Sequence, residues 1–141
     1  FNDYPTNQSI QKILEAEAPP VMPNDLASTT GSTNFSKVAP SSLKLYHLLA
    51  RKAKSKDFGS YKYRGEWGLL DHLIVSGTLL NQSNHFFTSE EKANVCLLPF
   101  LLKDDEKYGD KEPFRTYKGM KYQGGISDHL PIYTDFELIL H

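Results

Sequence analysis

Apolar positions fall into two textures along the chain. In the first third they recur at helical spacing. From Asn7 to Glu17, Ile10, Ile13 and Leu14 mark one face of a helix, with Thr6 or Asn7 as its cap after Pro5. Pro19, Pro20 and Pro23 end it, since proline has no backbone N–H to continue the ladder. From Met22 to Ser42 the chain is rich in Ser, Thr, Asn, Gly and Pro, which reads as a long surface loop. A second helix is predicted over Ser41 to Ser55. Ser41 follows Pro40 as its cap, Leu45, Leu48 and Leu49 form the stripe, and Arg51-Lys52 complement the C-terminal dipole.

Beyond Gly59 the period shortens to that of strands and turns. Ser60 to Arg64 alternates and is aromatic. Leu69 to Val75 is a nearly continuous apolar run, as in a buried strand, broken by Asp71 and His72. Ala93 to Leu98 is a further short strand. Phe114 to Tyr117 and Met120 to Tyr122 flank Lys118-Gly119 as a hairpin. In the last strand, Leu130 to Leu140, Ile132, Thr134, Phe136 and Leu138 share one face, and Tyr133, Asp135 and Glu137 the other. Ser89-Glu90-Glu91 and Lys103 to Lys111 read as solvated charged loops or short helices.

Composition narrows the class. A chain of 141 residues makes one domain, and 39% hydrophobic with 23% charged residues is a globular balance. Sixteen Lys and Arg face seventeen Asp and Glu, for a net charge of -1. A broad basic surface for gripping duplex nucleic acid is therefore not supported, which leaves room only for a local patch. Cys96 is the single cysteine, which excludes an intramolecular disulfide and a cysteine-built zinc site. No run approaches the roughly 18 apolar residues of a membrane span. No basic and apolar leader opens the chain. Phe1 stands where an initiating Met would be, so the expectation is that residues have been removed upstream.

The informative residues are polar ones inside apolar strands. Asp71 lies between Leu70 and Leu73, where a lone carboxylate costs several kcal/mol unless paired or hydrogen-bonded. It is either a strand-end cap or half of a functional pair. The second feature is Gly124-Gly125-Ile126-Ser127-Asp128-His129-Leu130-Pro131, in which a flexible Gly pair delivers Ser-Asp-His to the start of a strand. Asp128 and His129 then point to opposite sides, one toward a metal and the other toward a substrate. The plainer alternative is a turn using both side chains locally. His72 faces away from Asp71, His47 sits on the surface of the second helix, and His85 lies in a polar loop. His141 is terminal. Trp67, in Tyr61-Lys62-Tyr63-Arg64-Gly65-Glu66-Trp67, either stacks a base or sugar or belongs to the core. Lys62, Arg64, Arg115, Lys118 and Lys121 either line a phosphate-binding cleft or are ordinary solvated cations. There is no Gly-x-Ser-x-Gly elbow, no Walker loop and no dinucleotide fingerprint.

Taken in order, Phe1-Asn2-Asp3, Trp67-Gly68-Leu69-Leu70-Asp71-His72 and Ser127-Asp128-His129-Leu130-Pro131 resemble the C-terminal motifs of the endonuclease/exonuclease/phosphatase superfamily, the DNase I-like fold. Phe1-Asn2 match the last two positions of its Gly-Asp-hydrophobic-Asn motif. Gly59 to Asn81 is similar to a bacterial subgroup from Bacteroides-type organisms. The resemblance implies an α+β fold. Residues 1–141 would be the C-terminal half of a four-layer α/β/β/α sandwich, with a mixed, mostly antiparallel sheet and two helices.

The same resemblance implies the chemistry of a divalent-metal-dependent phosphoesterase. His129, Asp71 and Asn2 would be its catalytic residues. His129 would act at the scissile phosphate with Asp71 fixing its tautomer, and Asn2 would hold a phosphate oxygen or the nucleophile. Asp128 would meet the metal. Asn2, Trp67 and Arg64 would contact substrate. The cofactor would be Mg²⁺ or Mn²⁺, held mainly by residues of an absent N-terminal half. Substrates would be nucleic acid, a sugar phosphate or a lipid headgroup. The partner would be the missing half or a second copy covering an exposed apolar face. The alternative is a non-catalytic α+β binding or assembly module that shares the fold. The family's water-positioning Asp, metal-binding Glu and first-strand Asn have no counterparts here, so this polypeptide alone is expected to be inactive or nearly so. Hydrolysis of bis-p-nitrophenyl phosphate with Mg²⁺ by the purified chain, lost on His129→Ala, would contradict that expectation.

Overall fold

Tyr46, His47, Leu48 and Leu49 are buried in succession in the computed structural model, which describes residues 3–21 and 40–140. An amphipathic helix buries a stripe, whereas a strand covered on both faces buries a run. The segment accordingly forms a strand, and the helix expected over Ser41 to Ser55 is absent apart from one 3₁₀ turn at Lys52–Lys54. In chain order the strands are β1 (Leu45–His47), β2 (Tyr61–Tyr63), β3 (Glu66–Gly68), β4 (Ile74–Ser76), β5 (Phe86–Phe87) and β6 (Ala93–Val95). They continue as β7 (Leu102–Asp104), β8 (Lys111–Pro113), β9 (Tyr117–Lys118), β10 (Lys121–Tyr122), β11 (Ile132–Thr134) and β12 (Glu137–Leu138). The architecture is thus one of short antiparallel strands with few helices, compatible with an α+β fold.

Every strand pairs antiparallel with one partner. β1 aligns Leu45 with Ser76, Tyr46 with Val75 and His47 with Ile74, and Leu48 N–H extends this ladder to the Leu73 carbonyl. Of the apolar run Leu69 to Val75, only its end joins a ladder. β2 and β3 form a hairpin, β6 pairs with β11, and β5 with β12. The expected final strand is therefore split at Asp135-Phe136, with Ile132 and Thr134 half-buried and Phe136 and Leu138 exposed. The β9–β10 hairpin turns at Gly119-Met120, one residue later than predicted. Leu130 N–H bonds the Ser60 carbonyl and ties the β2–β3 hairpin to the segment before β11, while Cys96 N–H bonds the Pro131 carbonyl and extends the β6–β11 ladder, each at 2.7 Å. Around them Leu48, Leu49, Leu69, Ala93, Val95 and Leu130 form the core, with Trp67 packed against it.

The N-terminal helix is also shorter than its pattern. A single π-helical turn, Ser9–Ile13, buries Ile10 but leaves Ile13 exposed, because the wider turn takes the apolar positions off a common face. Glu15, with φ 51°, takes the chain out of it. The loop expected from Met22 to Ser42 lies largely outside the described residues, as do Asn2 and His141.

A further expectation is corrected by burial. Lys103 to Lys111 is largely exposed, as expected, but its ends pair in the β7–β8 hairpin and it buries Asp105. Lys62, on the inner face of β2, meets Asp105 at 3.3 Å and donates to the carbonyls of Gly109 and Lys111 at 2.8 and 3.1 Å. Its ammonium is fully satisfied inside the fold and is no part of a phosphate-binding cleft. Burial pushes the Asp105 carboxyl up, but backbone donors from Tyr108 and Lys107 and the Lys62 ammonium outweigh it and leave the pKa lowered.

His47 is not on a surface either. It is fully buried, accepts from Leu49 N–H at Nδ1 (3.1 Å) and lies with Nε2 2.8 Å from His72 Nδ1. Burial, then the neighbouring His72, pushes its pKa down from 6.5 to about 4. The native state holds the ring neutral while the unfolded chain takes up a proton below 6.5. Its contribution is therefore fully present above pH 6.5 and is lost as pH falls toward 4. Urea midpoints measured across that window should fall with pH, and His47→Gln should flatten the fall. A parent chain with a flat profile would contradict the buried neutral ring. Leu49→Ala should cost about 2–5 kcal/mol by urea unfolding, and a loss below about 1 kcal/mol would mean that the site is not a packed core.

Candidate active site

The β2–β3 hairpin turns on Arg64-Gly65, with φ of 52° and 87°. Two left-handed residues in a row make the turn whose twist matches the strands, and Gly65 takes its position without strain. Directly opposed residues share a face. Lys62 and Trp67 therefore point inward together, with the ammonium 5.8 Å from the indole ring. Tyr61 and Tyr63 point to the other side, their rings stacked at 6.5 Å and 12°.

Outward from Tyr61 lies the Ser-Asp-His segment. Tyr61 and His129 form an antiparallel bridge, which puts both side chains on one side and brings their rings to 5.0 Å. The Gly pair makes the approach possible. Gly124 has φ 79°. A Cβ on Gly125 would sit 2.1 Å from the Phe114 carbonyl oxygen and 2.5 Å from that of Arg115. Without side chains there, Gly125 N–H reaches the Arg115 carbonyl at 3.1 Å and Ile126 N–H the Phe114 carbonyl at 2.8 Å. The Ser127 hydroxyl then accepts from His129 N–H at 3.1 Å and fixes the turn.

His129 Nδ1 stands 2.8 Å from Asp71 Oδ2, across 58 residues of sequence, with both side chains partly open to solvent. A carboxylate has only acceptors, so Nδ1 carries the proton and Nε2 is the atom left to face a substrate. This partner explains the carboxylate in the apolar run. His72, the next residue, points the other way, onto His47, with the two rings edge to face at 5.0 Å and 88°. Since His47 Nδ1 accepts from Leu49, its Nε2–H is the donor to His72 Nδ1. Burial is the largest influence on His72 and lowers its pKa, against opposing effects from the Asp3 backbone and Asp71. The His47–His72 support was missed by sequence reading. Its signal was a histidine inside the run Leu45-Tyr46-His47-Leu48-Leu49.

The expected site residues thus divide. His129 and Asp71 are brought together, Arg64 lies at the hairpin turn over Tyr63, two rings away from His129, and Trp67 is on the opposite face. Asn2 lies outside the described residues. Asp128 is exposed next to His129. Among the described residues no group of three His, Cys, Asp or Glu side chains is placed to hold a metal ion. A hard divalent cation takes about six oxygen ligands, so Asp128 alone does not make a site for one. What the described residues form is an imidazole of fixed tautomer beside aromatic and cationic side chains.

A family model described as Endonuclease/Exonuclease/phosphatase family matches residues 1–138. No curated protein and no solved structure matches the chain. With the model running through the hairpin, Asp71 and the Ser-Asp-His loop, the chain belongs to the Endonuclease/Exonuclease/phosphatase family, which points to hydrolase activity on phosphoesters.

Proposed function

We propose that the protein hydrolyses a phosphoester in a metal-dependent reaction, with His129 as the side chain acting at the scissile phosphate and Asp71 holding it in place. The observation that carries this reading is the 2.8 Å Nδ1–carboxylate bond, which leaves Nε2 open beside Tyr61. From that position Nε2 would contact the phosphoryl oxygens and pass a proton as water attacks phosphorus in line. Asp71 would preserve the tautomer and stabilise the imidazolium formed on the way. Asn2 would complete the contacts to phosphate.

The cation, Mg²⁺ or Mn²⁺, would neutralise phosphate charge, and its ligands would come mainly from residues outside this chain, with Asp128 at its edge. On this reading residues 1–141 supply the C-terminal half of a four-layer α/β/β/α domain. The other half, or a second copy, would cover apolar side chains such as Leu97, Phe100 and Leu138, which are exposed here. The chain alone would be inactive or nearly so.

In the longest natural form of the protein, His129→Ala should lower kcat/KM for bis-p-nitrophenyl phosphate by about 10²–10⁴-fold, with the urea midpoint unchanged. Asp71→Asn should lower it less and change its pH profile. Gly125→Ala should also reduce activity, since the added Cβ forces the loop off Phe114 and Arg115. Absence of metal-dependent hydrolysis in the parent, with His129→Ala and Asp71→Asn affecting stability only, would replace this reading with that of a non-catalytic binding module.

A further inference from the structure

The outer face of the β2–β3 hairpin carries a row of flat and cationic groups that continues away from His129. The His129 ring meets Tyr61 at 5.0 Å, Tyr61 stacks beside Tyr63 at 6.5 Å, and the Arg64 guanidinium lies 5.2 Å over the Tyr63 ring. On the other flank the Arg115 guanidinium lies 5.1 Å over Tyr61. Arg115 Nη2 donates to the Lys62 carbonyl, its Nε is buried with no hydrogen-bond partner, and no carboxylate pairs with it among the described residues. Tyr63 is 56% exposed, which for a ring on a strand leaves a face open to a ligand.

We propose that this face is a stacking and phosphate-binding subsite for single-stranded nucleic acid. The inference rests on the phosphoesterase reading above and names its substrate class. Alternate strand positions place the two tyrosines in line, and bases stack on such rings with little regard to sequence because each has a π-face. Arg64 and Arg115 supply cations at the two ends of the row, and an unneutralised guanidinium suits a phosphate. Glu66, opposite Tyr63, bounds the row with negative charge and keeps the phosphates toward the arginines. A duplex buries its base faces and relies on a broad basic surface, which a chain of net charge -1 does not provide. A small phosphorylated headgroup needs the cations but has no flat ring to match the tyrosines.

The test is fluorescence anisotropy with labelled oligothymidylate and oligouridylate, in EDTA so that no turnover occurs. Both single strands should bind more tightly than a duplex of equal length, and a preference between them assigns DNA or RNA as the source. Tyr63→Ala should weaken binding about tenfold or more, and Tyr63→Phe should restore most of it. The exposed position makes both variants compatible with folding, which an unchanged urea midpoint checks. Equal binding by the parent chain and Tyr63→Ala would overturn the proposal. So would duplex or inositol phosphates competing more strongly than the single strand. The readout is independent of catalysis. If Tyr63→Ala loses binding while His129→Ala retains hydrolysis, the catalytic role falls and the subsite stands.

Discussion

The bond between His129 and Asp71 depends on almost everything else in the fold. It joins two segments 58 residues apart, and each is held by backbone rather than by the pair itself. On one side, the β1–β4 ladder and its extension to Leu73 fix the stretch that carries Asp71. On the other, Leu130 bonded to Ser60, the Tyr61 bridge and the glycine pair against Phe114 and Arg115 fix the loop that carries His129. A side-chain bond between two partly solvated groups contributes little stability of its own. Its value lies in orientation, which the surrounding ladders provide before any substrate arrives.

Strand alternation organises the site economically. Neighbouring residues are sent to opposite sides and given unrelated work. Asp71 turns to His129 while His72 turns inward to His47. Tyr61 and Tyr63 face outward while Lys62, between them, is sealed inside against Asp105 and Trp67. The interior groups give the hairpin rigidity, and the exterior ones give it a surface. The His47–His72 contact adds a direction to this arrangement: a donor and an acceptor are each committed, so the buried pair is stable only with both rings neutral.

Much of the strand content was legible in the pattern of the sequence, whereas the pairing of His129 with Asp71 came from the family resemblance. A carboxylate in an apolar run demands a partner, but the residues alone did not single out His129 as that partner. Short alternating stretches marked β2 within a residue at each end and located β6 and β11, whose predicted C-terminal ends ran too far. What failed did so for identifiable reasons. Leu45, Leu48 and Leu49 fit a helical stripe, but Tyr46 and His47 are buried as well, and tertiary covering on both faces overrode local spacing. Within the largely solvated Lys103 to Lys111, the burial of Asp105 was hidden because its partner, Lys62, lies far away in the sequence. For Trp67 the sequence left stacking and core open, and its place across the hairpin from Lys62, packed against the core, decides for the core. Ring stacking by Tyr61 and Tyr63 was hidden until their register relative to His129 was known.

The most direct test of the account is the tautomer of His129, read from long-range ¹H–¹⁵N NMR of the imidazole rings at neutral pH. The account predicts a proton on Nδ1 of His129 and on Nε2 of His47, with the His129 pattern averaging between tautomers in Asp71→Asn while that of His47 is unchanged. A proton on Nε2 of neutral His129 in the parent chain, or a His129 signal indifferent to Asp71→Asn, would contradict it.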